Sequence, residues 1–213
     1  MCARLSKITL SCFLLLIIMT TVPAAFGQLT IVNFDFGAVR ILCGGGYAYQ
    51  FPRDYCGWAL SQDFNSTPGF GWTLSQIVNT RSGSGLTGPS SAFAPPPFTG
   101  MPFTQAVFLQ GRSTFVSQAV GGFTAGNYIL SFYLGSRYAS GGYDGNQIVV
   151  ALIDGNVIGT WVVTSYTPFT LVTAPFTVNT DGSHTLKFMG MSQGDHTAFL
   201  SYVVITRNQT PEP

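Results

Sequence analysis

The chain has 213 residues, of which only 8% are charged: nine Lys or Arg stand against eight Asp or Glu, alongside 25 Gly and 14% aromatic residues. So near-neutral a balance offers no basic surface for a nucleic-acid backbone or an anionic membrane. The apolar and aromatic content is likewise too high for a disordered chain.

Arg4 and Lys7 precede an apolar run from Ile8 to Met19, and Ala25-Phe26-Gly27 puts small residues at a cleavage point before Gln28. Residues 1–27 therefore read as a secretory signal peptide, with an apolar run too short for a comfortable membrane span. A secreted or cell-surface protein is expected, with no span left after cleavage. The remaining 186 residues carry a net charge of −1 and suit a single domain over 28–206, with a tail over 207–213.

Cys43 and Cys56 are the cysteines that outlast cleavage. An oxidising compartment favours joining them, and such a disulfide contributes about 3 kcal/mol on the chain-entropy view. A metal or catalytic pair is the alternative, but the twelve-residue gap fits neither Cys-x-x-Cys chemistry nor a zinc quartet.

Short runs rich in Val, Ile, Phe, Tyr and Thr, punctuated by Gly, Asn and Asp, predict strands throughout and almost no helix. In chain order they cover 29–36, 47–51, 70–78, 105–110, 114–120, 128–138, 147–153, 157–163, 170–178, 184–189 and 198–206. Asp154-Gly155-Asn156 is the strongest hairpin signal. Residues 82–104, which include Pro95-Pro96-Pro97, read as a long surface loop. Gly83-Ser84-Gly85-Leu86-Thr87-Gly88 within it matches Gly-x-Gly-x-x-Gly, but no helix follows to receive a pyrophosphate, so a flexible loop is expected. Along 128–138, Tyr128, Leu130, Phe132 and Leu134 share one face and belong in a core. The opposite face, with Ser131, Tyr133, Gly135 and Arg137, is mixed enough for a concave and partly wet surface.

Gly190-Met191-Ser192-Gln193-Gly194 matches Gly-x-Ser-x-Gly, with Asp195 and His196 following. A nucleophile elbow needs a strand entering a helix, whereas strands are predicted on both sides here, so a turn is expected. A glycosidase needs two facing carboxylates. Asp144, Asp154, Asp181 and Asp195 are accounted for by turns, leaving Asp35, Asp54 and Asp63 in the N-terminal third. His184 and His196 lack a ligand-like spacing and are expected to be structural or exposed. Asn65-Ser66-Thr67 and Asn208-Gln209-Thr210 are glycosylation sequons.

Several segments in order resemble exported bacterial galactose-binding-like domains: Ala106-Val107-Phe108-Leu109-Gln110-Gly111, Tyr128-Ile129-Leu130-Ser131-Phe132-Tyr133, Leu152-Ile153-Asp154-Gly155, Ser165-Tyr166-Thr167-Pro168-Phe169 and His184-Thr185-Leu186-Lys187-Phe188. The likeness spans about half of the chain beyond the signal. It implies an all-β, two-sheet antiparallel jelly-roll β-sandwich of a kind that typically binds carbohydrate, and a non-catalytic binding module is expected. It also implies a structural calcium, with an acidic residue just after Asn-x-x-Phe and another in the last strand. Here Gly37 and Ser201-Tyr202 hold those places, leaving Asp35 or Asp195 as the substitutes. Thr210-Pro211-Glu212-Pro213 resembles the start of a PEP-CTERM sorting signal, without the membrane segment and basic cluster that follow in one.

Sugars offer apolar faces to aromatic rings and hydroxyls to polar side chains. The residues expected to bind a polysaccharide or cell-surface glycan are Tyr133, Arg137, Tyr138 and Tyr143, with Tyr47, Tyr49, Trp58 and Trp161 as further aromatics. The competing expectations are a structural cell-surface or matrix protein that self-associates without a soluble ligand, and a secreted hydrolase.

Overall fold

The computed structural model describes residues 28–42, 44–52, 54, 60–77, 82–140 and 142–208. The signal segment, Cys43, Cys56, Trp58 and the Pro-Glu-Pro terminus lie outside the described residues. Among the described residues there is no helix, and twelve strands build two sheets. They are β1 (Tyr47–Gln50), β2 (Ser61–Gln62), β3 (Thr73–Leu74), β4 (Gly83–Thr87), β5 (Ala106–Gln110), β6 (Phe115–Phe123), β7 (Gly126–Ser136), β8 (Gln147–Ile153), β9 (Asn156–Val163), β10 (Thr170–Val178), β11 (Gly182–Gly190) and β12 (Thr197–Arg207). One sheet runs β10-β7-β12-β5-β4-β1-β2 and the other β3-β6-β11-β8-β9. Every pairing is antiparallel except β1 with β2.

Alternation along the strands fills the space between the sheets. Tyr128, Leu130, Phe132 and Leu134 of β7 point inward as the sequence pattern predicts. They meet Val116 and Val120 of β6, Leu186 and Phe188 of β11, and Val149 and Ala151 of β8. The hairpin at Asp154-Gly155 forms a two-residue loop in which both residues have positive φ, 48° and 83°, the geometry that suits the twist of the flanking strands.

The opposite face of the seven-stranded sheet is not the wet surface expected. Tyr49, Phe108 and Phe199 project there, and residues 91–103 fold over them with Phe93, Phe98 and Phe103. Phe93 stacks on Phe108 at 4.2 Å, and Phe98 meets Phe103 and Phe169 edge-on at 5.3 and 5.2 Å. The segment expected to be a surface loop thus forms a second apolar layer, in which each fully buried phenylalanine contributes about 1.5–3 kcal/mol. Tyr133 is half-buried in it, 5.6 Å from Phe103 and 6.1 Å from Tyr202.

Three other expectations are corrected. Gly83–Thr87 is no flexible loop but a fully buried strand between β1 and β5. A Cβ at Gly85 would lie 2.0 Å from the Ala48 carbonyl oxygen and 2.7 Å from Phe108 Cζ, so glycine is there to admit neighbours. Residues 29–36 turn instead of forming a strand. Asn33 and Phe36 adopt positive φ, and the Asn33 and Asp35 side chains accept the amides of Ala38 and Gly37, offering the backbone an alternative to a ladder. Among the described residues of 70–78 only Thr73–Leu74 is a strand, and the Asn65 side chain bonds both backbone groups of Leu74. The Asn65 amide of the first sequon is thereby engaged.

Candidate functional site

At one end of the sandwich four connections meet: 137–146 after β7, 164–169 after β9, 191–196 before β12, and the segment around Phe93. Backbone bonds tie them together. Arg137 N donates to Thr197 O, Tyr166 N to Arg137 O, Asp144 N to Asp195 O, and Tyr138 N to Ala94 O, at 2.9–3.3 Å. The buried Gln147 side chain accepts the amides of Met191 and Ser192 and donates to His196 O, so it shapes the turn after β11. Ser192 Oγ itself accepts the Ile148 amide at 3.1 Å, and the chain runs on into β12 with no helix. This is the turn that the sequence predicts, not a nucleophile elbow.

Arg137 is the hub. Its Nη1 donates to Asp195 Oδ1 at 3.0 Å, and its guanidinium lies between the rings of Tyr143 and Phe93, at 3.8 and 4.4 Å from their centroids. Asp195 Oδ1 also accepts Gln110 Nε2, whose Oε1 in turn accepts the Tyr49 hydroxyl. Burial pushes the Tyr49 hydroxyl well above its ordinary pKa, aided by Tyr47 and Asp195, so it is a neutral donor. Beside this network the His196 ring donates from Nδ1 to Asp144 at 2.5 Å. Burial works against the Asp144 carboxylate, but bonds from His196 and Asn146 outweigh it and hold its pKa below the usual range.

On this base stand two exposed rings. Tyr138 is 56% exposed and Tyr166 is 53% exposed, and they meet edge to face at 5.3 Å and 90°. Tyr166 has φ of 62°, a sparsely populated conformation for a tyrosine, held by its amide bond to Arg137 O.

Of the residues expected to contact sugar, Arg137, Tyr138, Tyr143, Tyr47 and Tyr49 come to this end. Arg137 and Tyr49 are only 7% and 5% exposed, so they support the surface without being open for stacking. Tyr47 is half-buried against Tyr49 and Phe93. Tyr133 belongs to the aromatic layer, and Trp161 packs edge-on against Phe132 at the margin of the main core. Tyr166, Phe93 and Gln110 were missed as members of the site. Tyr166 had a signal, a ring within the turn Ser165-Tyr166-Thr167-Pro168; the other two had none, since only folding brings them to Arg137.

Other carboxylates pair elsewhere. Asp54 and Asp63 line an open groove of about 430 Å³ with Arg40 and Gln62. Hydrogen bonds from Gln50 and Ser66 lower the pKa of Asp63, the opposite of what a general acid needs. Asp35 and Asp195 lie near opposite ends of β5, on the order of 15 Å apart by strand rise, so they cannot share an ion. Among the described residues no three His, Cys, Asp or Glu converge.

No protein-family model matches the chain, and no curated protein matches it either. Solved structures do. An apo-form cyclase from Fischerella sp. aligns at 15% identity over 89% of this chain and all of that one, with a TM-score of 0.61. A cyclase from Fischerella sp. TAU aligns at 14% identity over 87% and 99%, with a TM-score of 0.59. The C-terminal CBM6 of LamC, a marine laminarinase from Zobellia galactanivorans, covers 50% of this chain and 83% of that one at 18% identity, with a TM-score of 0.39. At such identities the cyclase alignments speak to fold alone, and with the strand order they make this chain an all-β, two-sheet jelly-roll β-sandwich.

Proposed function

We propose that the protein is an exported, non-catalytic module that binds a polysaccharide through the loop end of its sandwich. The observation that carries this reading is the exposed Tyr138–Tyr166 pair, two perpendicular rings fixed on a buried ionic and aromatic base. Rings held in this way can stack on apolar sugar faces with little further ordering cost. The partly exposed His196 and Asp144 at the same end offer hydrogen bonds to hydroxyls. Against the effect of burial, hydrogen bonds from His196 and Asn146 hold the Asp144 carboxyl below its usual range, so it serves as an acceptor for sugar hydroxyls.

Affinity electrophoresis through gels that contain neutral or acidic polysaccharides tests the proposal. The wild type should be retarded by at least one of them, and Tyr138→Ala with Tyr166→Ala should weaken that binding about tenfold or more. Equal retardation of the double variant would remove the rings from the site. Turnover of a glycoside or ester panel would reject the non-catalytic reading.

A further inference from the structure

Four backbone carbonyls are taken up in two pairs by two side-chain donors where the turn over residues 33–39 meets the start of β5 and the bulge in β12. They belong to Asp35, Phe36, Val39 and Gln105. Gln105 Nε2 donates to Phe36 O at 3.2 Å and to Val39 O at 2.9 Å, one amide proton for each. Ser201 Oγ lies 3.1 Å from Asp35 O and 2.8 Å from Gln105 O, so its single proton is shared between them. The extra residue between Ser201 and Val204, where β12 slips its register against β7, lets Ser201 reach this cluster while Val203 returns to the core.

Gathered carbonyl oxygens are what a hard cation seeks, usually together with carboxylates, and the family likeness implies a calcium in this region. The residues present do not fit one. The Asp35 carboxylate turns back to accept the Gly37 amide at 3.0 Å, and Asn33 Oδ1 is occupied by the Ala38 amide at 2.8 Å. Gly37 and Ser201 supply no charge, and the four carbonyls already face N–H and O–H donors. Reversing the Gln105 amide would bring its oxygen against two carbonyls and leave its NH2 without an acceptor, where Oε1 now sits buried and unpartnered.

We infer that Gln105 and Ser201 take the place of a cation at this junction, so that the sandwich ties its N-terminal turn to β5 and β12 with neutral donors and no divalent ion. Thermal unfolding of the chain from residue 28 onward, in EDTA and in millimolar calcium chloride, tests this. The wild type should melt at one temperature in both. Gln105→Leu and Ser201→Ala should each melt roughly 2–8 °C lower in both, with no recovery in calcium. A wild-type midpoint that rises with calcium and falls with EDTA would overturn the inference, as would variants as stable as the wild type. Should either variant fail to fold, the wild-type pair of melts decides by itself.

Discussion

Truncating Arg137 to alanine should be among the most damaging single changes at the loop end. Its side chain and that of Asp195 are 9% and 15% exposed, so the pair is almost fully withdrawn from water. Removing one partner of such a pair costs about 3–5 kcal/mol, chiefly because the other charge stays buried. The Phe93 and Tyr143 rings also lose the cation between them, worth about 0.5–2 kcal/mol each and partly counted already in that figure. About 4–6 kcal/mol is the net expectation, or a fall in melting temperature of roughly 10–20 °C for a domain of this size. Urea unfolding followed by tryptophan fluorescence measures it directly. Arg137→Met combined with Asp195→Asn should lose much less than the sum of the single changes, since no charge is stranded. A loss below about 1 kcal/mol for Arg137→Ala would place the pair in the range of solvated surface ion pairs and refute the buried hub.

Gly85→Ala should abolish soluble folded protein or cost well over about 3 kcal/mol, because the new Cβ meets backbone at 2.0 Å; circular dichroism showing a native-like, stable variant would contradict the packing of β4. Phe93→Ala should cost about 3–5 kcal/mol in urea unfolding, whereas a loss below about 1 kcal/mol would mean that residues 91–103 do not cover the sheet. His184 donates from both ring nitrogens, to Asp154 and to the Thr180 carbonyl, which requires the imidazolium, and these bonds raise its pKa. A raised pKa stabilises the fold fully below the unfolded value of about 6.5 and ceases to do so as the pH climbs through the folded one. Asp154 is shifted the other way by its bonds to Thr185 and His184, so its share is lost in acid. The stability advantage of wild type over His184→Gln should therefore be greatest between the carboxylate range and the raised imidazole pKa, and an advantage independent of pH would refute the clamp.

The strands that could be read from sequence are those whose alternation has one simple cause. β7, β8, β10 and β12 each present an apolar set to the core, and the Asp-Gly hairpin follows from turn chemistry. β4 was invisible because Gly83-Ser84-Gly85 carries the composition of a loop, and only the closeness of Ala48 and Phe108 explains it. Residues 29–36 misled in the opposite way: their apolar content suited a strand, while Asn33 and Asp35 bent the chain through local bonds. In the site, Arg137, Tyr138 and Tyr143 could be singled out because they follow one strand. Whether each ring faces outward depended on the second aromatic layer, which no periodicity announces.

The most direct test of the sugar-binding account is a titration of isotopically labelled protein with soluble oligosaccharides cut from a polysaccharide that retards it, followed by amide chemical shifts. The account predicts shifts clustered at Tyr138, Tyr143, Tyr166 and His196, lost in Tyr138→Ala with Tyr166→Ala. Shifts confined instead to the Asp54–Asp63 groove, with the loop end silent, would contradict it.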